Sequence, residues 1–434
     1  MNGSAASGRL VRWLPAALIA VGVVLRLLWA LLPSADKLSF GEAANVAIAF
    51  ARTGAFADAF VAGQGPTAHI MPGPPMIAGL VYRAFGIQTP LSEGVLIAWS
   101  LLLVFGAYWL LFKAFEAAGA PLAGRLGALA VLCLLPLNFN LEVVWFRTWD
   151  GGLAVVLAAM FLVAVLRLHA AERVGNGPLA ALALLAAAVL AVSPPLGLGA
   201  YAGGLLLFAR RLPWRRWPAG VAIVGVATVL VLAPWTIRNA QVMGKPIVFR
   251  DNFGLELAMG YFPGALEAAS PRNAFKTRHD TIHPYANPAG FAAMQAAGGE
   301  VAYFDALGTA TKAWIAAHPG DAVRLTLRHL TEFLFPPAWY WNQFSDAGST
   351  GTTAKLAANW LITLLGLAGL GYAVLRLEHR YRYLALMTLL PILPYLVVQP
   401  TLRYRYIVLG LLVFFAGDAV ARFSMRWQRR TGTS

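Results

Sequence analysis

The stretch Gln399-Pro-Thr-Leu-Arg-Tyr-Arg-Tyr406 sets two arginines, Arg403 and Arg405, between the last two apolar runs of the chain, near 382–399 and 403–421. Working outward from it gives the fold class. Of 434 residues 59% are hydrophobic and only 12% charged, against about 25% charged in soluble domains. Apolar runs near the length that crosses a bilayer, roughly 20 residues, recur ten times, the sixth of them short: near 14–32, 93–115, 121–138, 150–168, 177–194, 197–209, 217–236, 357–376, 382–399 and 403–421. The first is too long for a signal-peptide core and no small-residue cleavage site follows, so it reads as a retained anchor. The expected class is an all-α polytopic membrane protein.

Charge placement sets the topology. Basic residues gather at Arg9/Arg12, Lys113/Arg125, Arg167/Arg173, Arg210/Arg211/Arg215/Arg216, Arg376/Arg380/Arg382 and Arg422/Arg426/Arg429/Arg430. With ten spans all six clusters fall on one side, the cytoplasmic side by the positive-inside rule. Both termini are then cytoplasmic, and the net charge of +15 faces anionic lipid rather than nucleic acid. Arg403 and Arg405 fall on the opposite, outer side. Two guanidinium groups at the mouth of a helix bundle suit a phosphate ligand. Residues 72–86, with Pro72, Pro74 and Pro75, have too few apolar positions to span and read as a short interfacial or re-entrant helix.

Three regions follow. Residues 1–236 hold the first seven spans and a first outer loop at 33–92. Residues 237–356 form a small outer cap, with helices expected near 289–297, 301–317 and 320–335. Residues 357–434 hold the last three spans and a cytoplasmic tail. The lone Cys133 lies in a span, which excludes intrachain disulfides and cysteine metal sites.

Acidic residues are scarce, 19 in all, so those on the outer side stand out. The first loop offers Asp36, Glu42 and Asp58; Glu42 opens a surface helix, where the positive end of the dipole favours a carboxylate. The turn at 140–150 adds Glu142, Arg147 and Asp150; Asp150 precedes Gly151-Gly152 and an apolar helix, so its bland role is an N-cap. Arg26 lies deep in the first span and needs a buried partner or a polar cavity. Arg238 and Arg250 follow the seventh span on the outer side, where a phosphate contact and surface pairing with Asp251 or Glu256 are the alternatives for both. His69, His279, His283 and His318 are dispersed along the chain, and although His279 and His283 stand four apart they lack the H-E-x-x-H pattern of a helical zinc pair. The aromatic run Phe335-Pro-Pro-Ala-Trp-Tyr-Trp341 suits either a sugar-stacking surface or an interfacial belt.

The motifs together resemble the lipid-dependent glycosyltransferases of the GT-C fold, in particular bacterial family 39-like membrane proteins related to protein O-mannosyltransferases and lipid A aminoarabinose transferase. The resemblance rests on Glu42 in the first outer loop, Gly65-Pro-Thr-Ala-His-Ile-Met-Pro72 and its Pro-rich short helix, Ala233-Pro-Trp-Thr-Ile-Arg-Asn239 and Phe249-Arg-Asp-Asn-Phe-Gly-Leu-Glu-Leu257. His283-Pro-Tyr-Ala-Asn-Pro288, Gly299-Glu-Val-Ala-Tyr303 and Arg403-Tyr-Arg405 complete it, in order along most of the chain. The resemblance implies a GT-C-like bundle of about ten transmembrane helices, with loop 1 helices and a cap facing outward. The activity it implies is inverting transfer of a sugar from a polyprenyl-phosphate donor to a lipid, glycan or protein acceptor, at the outer face of the bacterial cytoplasmic membrane. Glu42 is then the general base. Arg403 and Arg405, joined by Arg238, hold the lipid phosphate. Thr67 and His69 lie in the substrate loop, and Asp150 and Glu142 fall in the region of a second acidic motif. Relatives often carry two adjacent acids in the first loop, whereas Gly41 precedes Glu42 here. No cofactor is expected, and a divalent metal is not favoured. The rival readings are a lipid-substrate transporter or flippase and a non-catalytic relative; no internal repeat of the transporter kind is evident.

Overall fold

The computed structural model describes residues 3–32, 37–342, 351–376 and 379–431; Asp36 lies outside them. The described chain is helical, with one isolated β-bridge between Ala57 and Pro66. The membrane part comprises α1 (Gly3–Leu31), α4 (Pro90–Ala117), α5 (Leu122–Leu134), α6 (Phe139–Val143), α7 (Gly151–Ala170), α8 (Asn176–Val192), α9 (Pro194–Arg211), α10 (Trp217–Met243), α16 (Thr352–Arg376), α17 (Tyr381–Leu389) and α18 (Leu402–Thr431). Between α1 and α4 lie the first-loop helices α2 (Glu42–Thr53) and α3 (Gly73–Phe85). The cap, between α10 and α16, consists of α11 (Phe253–Gly260), α12 (Pro271–Ile282), α13 (Pro288–Ala296), α14 (Glu300–Ala317) and α15 (Pro319–Leu334).

All ten expected spans fall on helical segments. Among the described residues six helices are each long and apolar enough to cross a membrane, and a seventh candidate is the pair formed by α5 and residues 139–147, bent by 75°. The expected spans at 177–194, 197–209 and 382–399 fall short of that measure. The 197–209 span is longer than expected (Pro194–Arg211), because Pro194 and Pro195 open the helix two residues after α8 ends. The 382–399 span breaks at Leu389 into a 3-10 stretch around Pro391 and Pro394. α3 has 13 residues, about 20 Å of rise, in keeping with a helix that does not cross. The three expected cap helices occur within a residue or so of their expected limits, and α10 runs on to Met243.

Close helix contacts rest on small residues. A side chain at Gly366 would meet the Leu412 carbonyl at 2.6 Å, and one at Gly124 the Gly417 carbonyl at 2.6 Å, so α16 and α5 seat directly against α18. The kink after α5 frees carbonyls inside the bundle, and Arg26 takes them: it donates to the carbonyls of Leu132 (2.8 Å) and Cys133. Its Nε also donates to Glu142 at 2.8 Å, and its guanidinium lies over Phe139. Glu142 in turn accepts from the hydroxyls of Tyr108 (2.6 Å) and Tyr406 (3.1 Å). A single buried charge pair thus ties α1, α4, the α5–α6 bend and α18.

The chain order of the ten segments brings the first loop, the turn before α7, the cap and the start of α18 to one end of the bundle. The first loop and cap are locked together. Buried Glu300, at the start of α14, accepts from the Thr67 hydroxyl, the Ala68 amide and the Gln64 side chain. Arg238 donates to the carbonyls of Thr67 and Phe56, and the Asp251 amide bonds the Ala68 carbonyl.

Candidate active site

The site forms where α2, the Thr67–Met71 turn, the turn before α7, the cap and the start of α18 converge. Glu42 is the first residue of α2. The residue before it, Gly41, has φ 85° and ψ −179°, a region open essentially to glycine alone, with Trp149 packed 3.7 Å from where a side chain would start. This is why a second acid cannot stand beside Glu42: the backbone turn that seats α2 needs glycine there.

The Glu42 side chain is 14% exposed, with Nε2 of His283 3.8 Å from its Oε1. His69 joins them, and one ligand atom from each of Glu42, His69 and His283 lies within 4.8 Å of the others. Burial raises the Glu42 carboxyl above its ordinary range; Arg403 and Arg250 oppose that rise and the nearby Glu256 adds to it. Burial, followed by Arg250 and Arg403, depresses His69 to about 3. His283 is likewise driven well below its ordinary value, by burial and by its histidine neighbours. Both imidazoles are therefore neutral at neutral pH.

Arg403 lies with its guanidinium 3.7 Å over the Trp149 ring, with Trp145 and Tyr404 alongside. Its Nη1 is buried with no hydrogen-bond partner among the described residues, as are Nε of Arg250 and the Thr401 hydroxyl. Arg250 pairs with Asp150, and Tyr404 donates to Glu256 at 3.2 Å. Burial, with Arg403 and Arg250 opposing, raises the Glu256 carboxyl. The cluster thus combines carboxylates, unspent cationic donors and neutral imidazoles in a buried setting, where electrostatic interactions act strongly.

Of the expected site residues Asp150 joins the cluster, while several others are placed elsewhere. Glu142 is committed to Arg26 inside the bundle. The Asp150 side chain makes no capping hydrogen bond and pairs with Arg250 instead, which also replaces the expected surface pairing of Arg250. Arg405 points away from Glu42: its guanidinium donates to the Asn359 side chain and carbonyl and to the Thr363 hydroxyl on α16. The cause is helical spacing, since residues two apart on α18 face different ways. Arg238 and Thr67 hold the first loop to the cap. The aromatic run contributes Trp339 to packing against Phe275 and Tyr340 within the cap. Sequence reasoning passed over His69 and His283 as partners of Glu42 because 27 and 241 residues of chain part them from it; only tertiary closure shows the convergence. Glu256 and Tyr404 were missed as well, although both sit in motifs already noted.

The three converging groups make a metal worth testing against the donor chemistry. A metal-bound histidine normally donates its second ring N–H to an acceptor. His283 does the reverse: its Nδ1 accepts the Tyr285 amide at 3.1 Å. Neutral His283 then carries its proton on Nε2, the atom turned toward Glu42. Ligand atoms about 2.0–2.2 Å from a tetrahedral zinc would also have to draw closer than these are. His283 as placed does not fit a preorganised metal ligand, and no step below depends on a metal.

No family model and no curated protein matches the chain. Among solved structures, the oligosaccharyltransferase of Archaeoglobus fulgidus in its apo form aligns over 98% of this chain with a TM-score of 0.55 and 12% identity. The fold is that of the GT-C membrane glycosyltransferases. The archaeal oligosaccharyltransferase AglB from the same organism, in complex with an inhibitory peptide and a dolichol-phosphate, aligns over 98% of the chain with a TM-score of 0.51 and 13% identity. ArnT from Cupriavidus metallidurans aligns over 96% of this chain and 78% of its own at a TM-score of 0.36 and 15% identity, too low a score to add to the fold assignment. The chain spans about half the length of the archaeal oligosaccharyltransferase, 52% and 51% in the two structures.

Proposed function

We propose that the protein transfers a sugar from a polyprenyl-phosphate donor to an acceptor at the outer face of the bacterial cytoplasmic membrane, with inversion at the anomeric carbon. The observation that carries this reading is the convergence of Glu42 and Arg403, both largely shielded from solvent, in one cluster at the mouth of a GT-C bundle, with a buried Arg403 nitrogen left unspent. That one structural neighbour was solved with a dolichol-phosphate and a peptide supports a lipid-phosphate donor in general terms.

In this reading Glu42 takes the proton of the acceptor hydroxyl as its oxygen forms a bond to the anomeric carbon. The bond from that carbon to the phosphate oxygen breaks, and the lipid phosphate leaves with the electron pair. Charge grows on that oxygen, and Arg403 and Arg250 are the fixed donors that meet it. The neutral Nε2–H of His283 faces Glu42 and orients its carboxylate. A raised Glu42 pKa makes it a better base than a solvent-exposed carboxylate. It also puts the rising limb of the pH–rate profile above the ordinary glutamate range.

The test is transfer by purified protein from a synthetic polyprenyl-phosphate sugar, with donor binding measured in parallel. Glu42→Gln should lose about 10²–10⁴-fold in turnover while still binding donor. Turnover by that variant at the wild-type rate would remove Glu42 as the base.

A further inference from the structure

A second site lies away from the Glu42 cluster. Between α7, α8, α9 and α10 is a groove of about 380 Å³, within the size range of small-molecule sites, about 300–1,000 Å³. Its walls include Phe161, Ala186, Gly204, Leu205 and Val221. The few polar atoms along it are spent: the Tyr201 hydroxyl meets Thr228, and the Trp217 indole donates to the Leu212 carbonyl. Nothing polar is offered inside, so the groove suits a hydrocarbon chain.

The groove has a direction. It runs from the middle of α7 and α9 to Phe208 and Trp217, toward the end of α9 that carries Arg210 and Arg211 and the following turn with Arg215 and Arg216. Arg211 extends the groove face of α9, three residues past Phe208, the helical spacing for a shared face. It donates from Nη2 to the Ala171 carbonyl and enters no ion pair among the described residues. Arg215 is exposed beside Trp214, itself 75% exposed as an interfacial tryptophan would be. Basic pockets between transmembrane helices on the cytoplasmic side are suited to anionic headgroups.

We infer that this groove binds an anionic glycerophospholipid of the leaflet next to the basic clusters, one acyl chain in the groove and the phosphate on Arg211 and Arg215. Charge complementarity commits the occupant: an uncharged or zwitterionic lipid would fill the groove without using the arginines. The inference is independent of the proposed transfer reaction.

Titration of detergent-solubilised full-length protein with phosphatidylglycerol, read by native mass spectrometry, tests it. Wild type should bind phosphatidylglycerol in preference to phosphatidylcholine. A Cβ added at Gly204 meets nothing within 4 Å, so Gly204→Leu starts from open space on the groove wall and should weaken binding at least tenfold. Arg211→Gln with Arg215→Gln should weaken it about thirtyfold, from about 1 kcal/mol per basic residue near an anionic surface. Arg429→Gln with Arg430→Gln removes the same charge at the same end and should leave it unchanged. If Gly204→Leu does not fold, the paired arginine variant still decides. Equal binding of phosphatidylcholine, wild-type affinity in the folded variants, or displacement of phosphatidylglycerol by undecaprenyl phosphate would overturn the assignment.

Discussion

Replacing Arg26 by methionine separates a structural role for Glu142 from a chemical one. In the wild type the Arg26 and Glu142 side chains are 1% and 2% exposed, so the variant strands a buried carboxylate beside two tyrosine hydroxyls. Removing one partner of a buried ion pair costs about 3–5 kcal/mol. The carbonyls of Leu132 and Cys133 also lose their donor, at about 1–3 kcal/mol each in full isolation, though polar groups inside membrane bundles contribute less. A total near 4 kcal/mol is expected. Arg26→Met with Glu142→Met removes both charges and leaves Tyr108 and Tyr406, whose hydroxyls already meet at 3.0 Å, to satisfy each other. Apolar replacement of a buried pair is often close to neutral, so the double variant should regain most of the loss and keep only the cost of the two carbonyls. Reversible unfolding in mixed micelles, arranged as a double-mutant cycle, measures all of this. The folded double variant should also keep its transfer turnover. The reasoning fails if Arg26→Met alone costs under about 1 kcal/mol. It fails equally if the double variant costs the sum of the singles, or is folded and inactive.

Three further outcomes are expected. Arg403→Gln should weaken the affinity for lipid phosphate and lower turnover, whereas Arg405→Gln should lower thermal stability and leave donor affinity in the folded protein unchanged; equal loss of donor affinity in both would contradict the placement of Arg405 against α16. Asp251 is pushed up to about 10 by burial and by the Glu300 carboxylate. The folded state therefore holds a proton that the unfolded state releases from about pH 4 upward, and stability declines as pH rises from there toward 10. Asp251→Asn should flatten that decline in denaturant midpoints, and an unchanged slope would sink the argument. Dialysis against a chelator, with metal content followed by elemental analysis, should leave donor binding and transfer intact. Loss of transfer restored by one divalent ion would show that His283 changes tautomer to ligate it.

What the sequence revealed depends on the range over which each cause acts. Span positions, the short Pro-rich helix and the need of Arg26 for a buried partner are local or nearly so, and a bilayer enforces them. The identity of that partner was not legible, because Glu142 reaches Arg26 only through the bend after α5. Arg403 and Arg405 read alike in sequence; the turn of α18 sends one to the cluster and the other to Asn359. Gly41 looked like a departure from an acidic pair, and its positive φ gives the departure a backbone cause. His69 and His283 gave no spacing signal, since their meeting depends on the cap closing over the first loop.

That closure has a consequence for biogenesis. Thr67 and Glu300, which clamp the loop to the cap, stand 233 residues apart, and Arg403 follows only with the last helix. While the ribosome is still working, Glu42 is already exposed at the membrane surface, but its buried surroundings do not yet exist. A nascent or truncated chain has a solvated carboxylate there and no cationic counterpart, so the cluster is complete only when the final helix is in place.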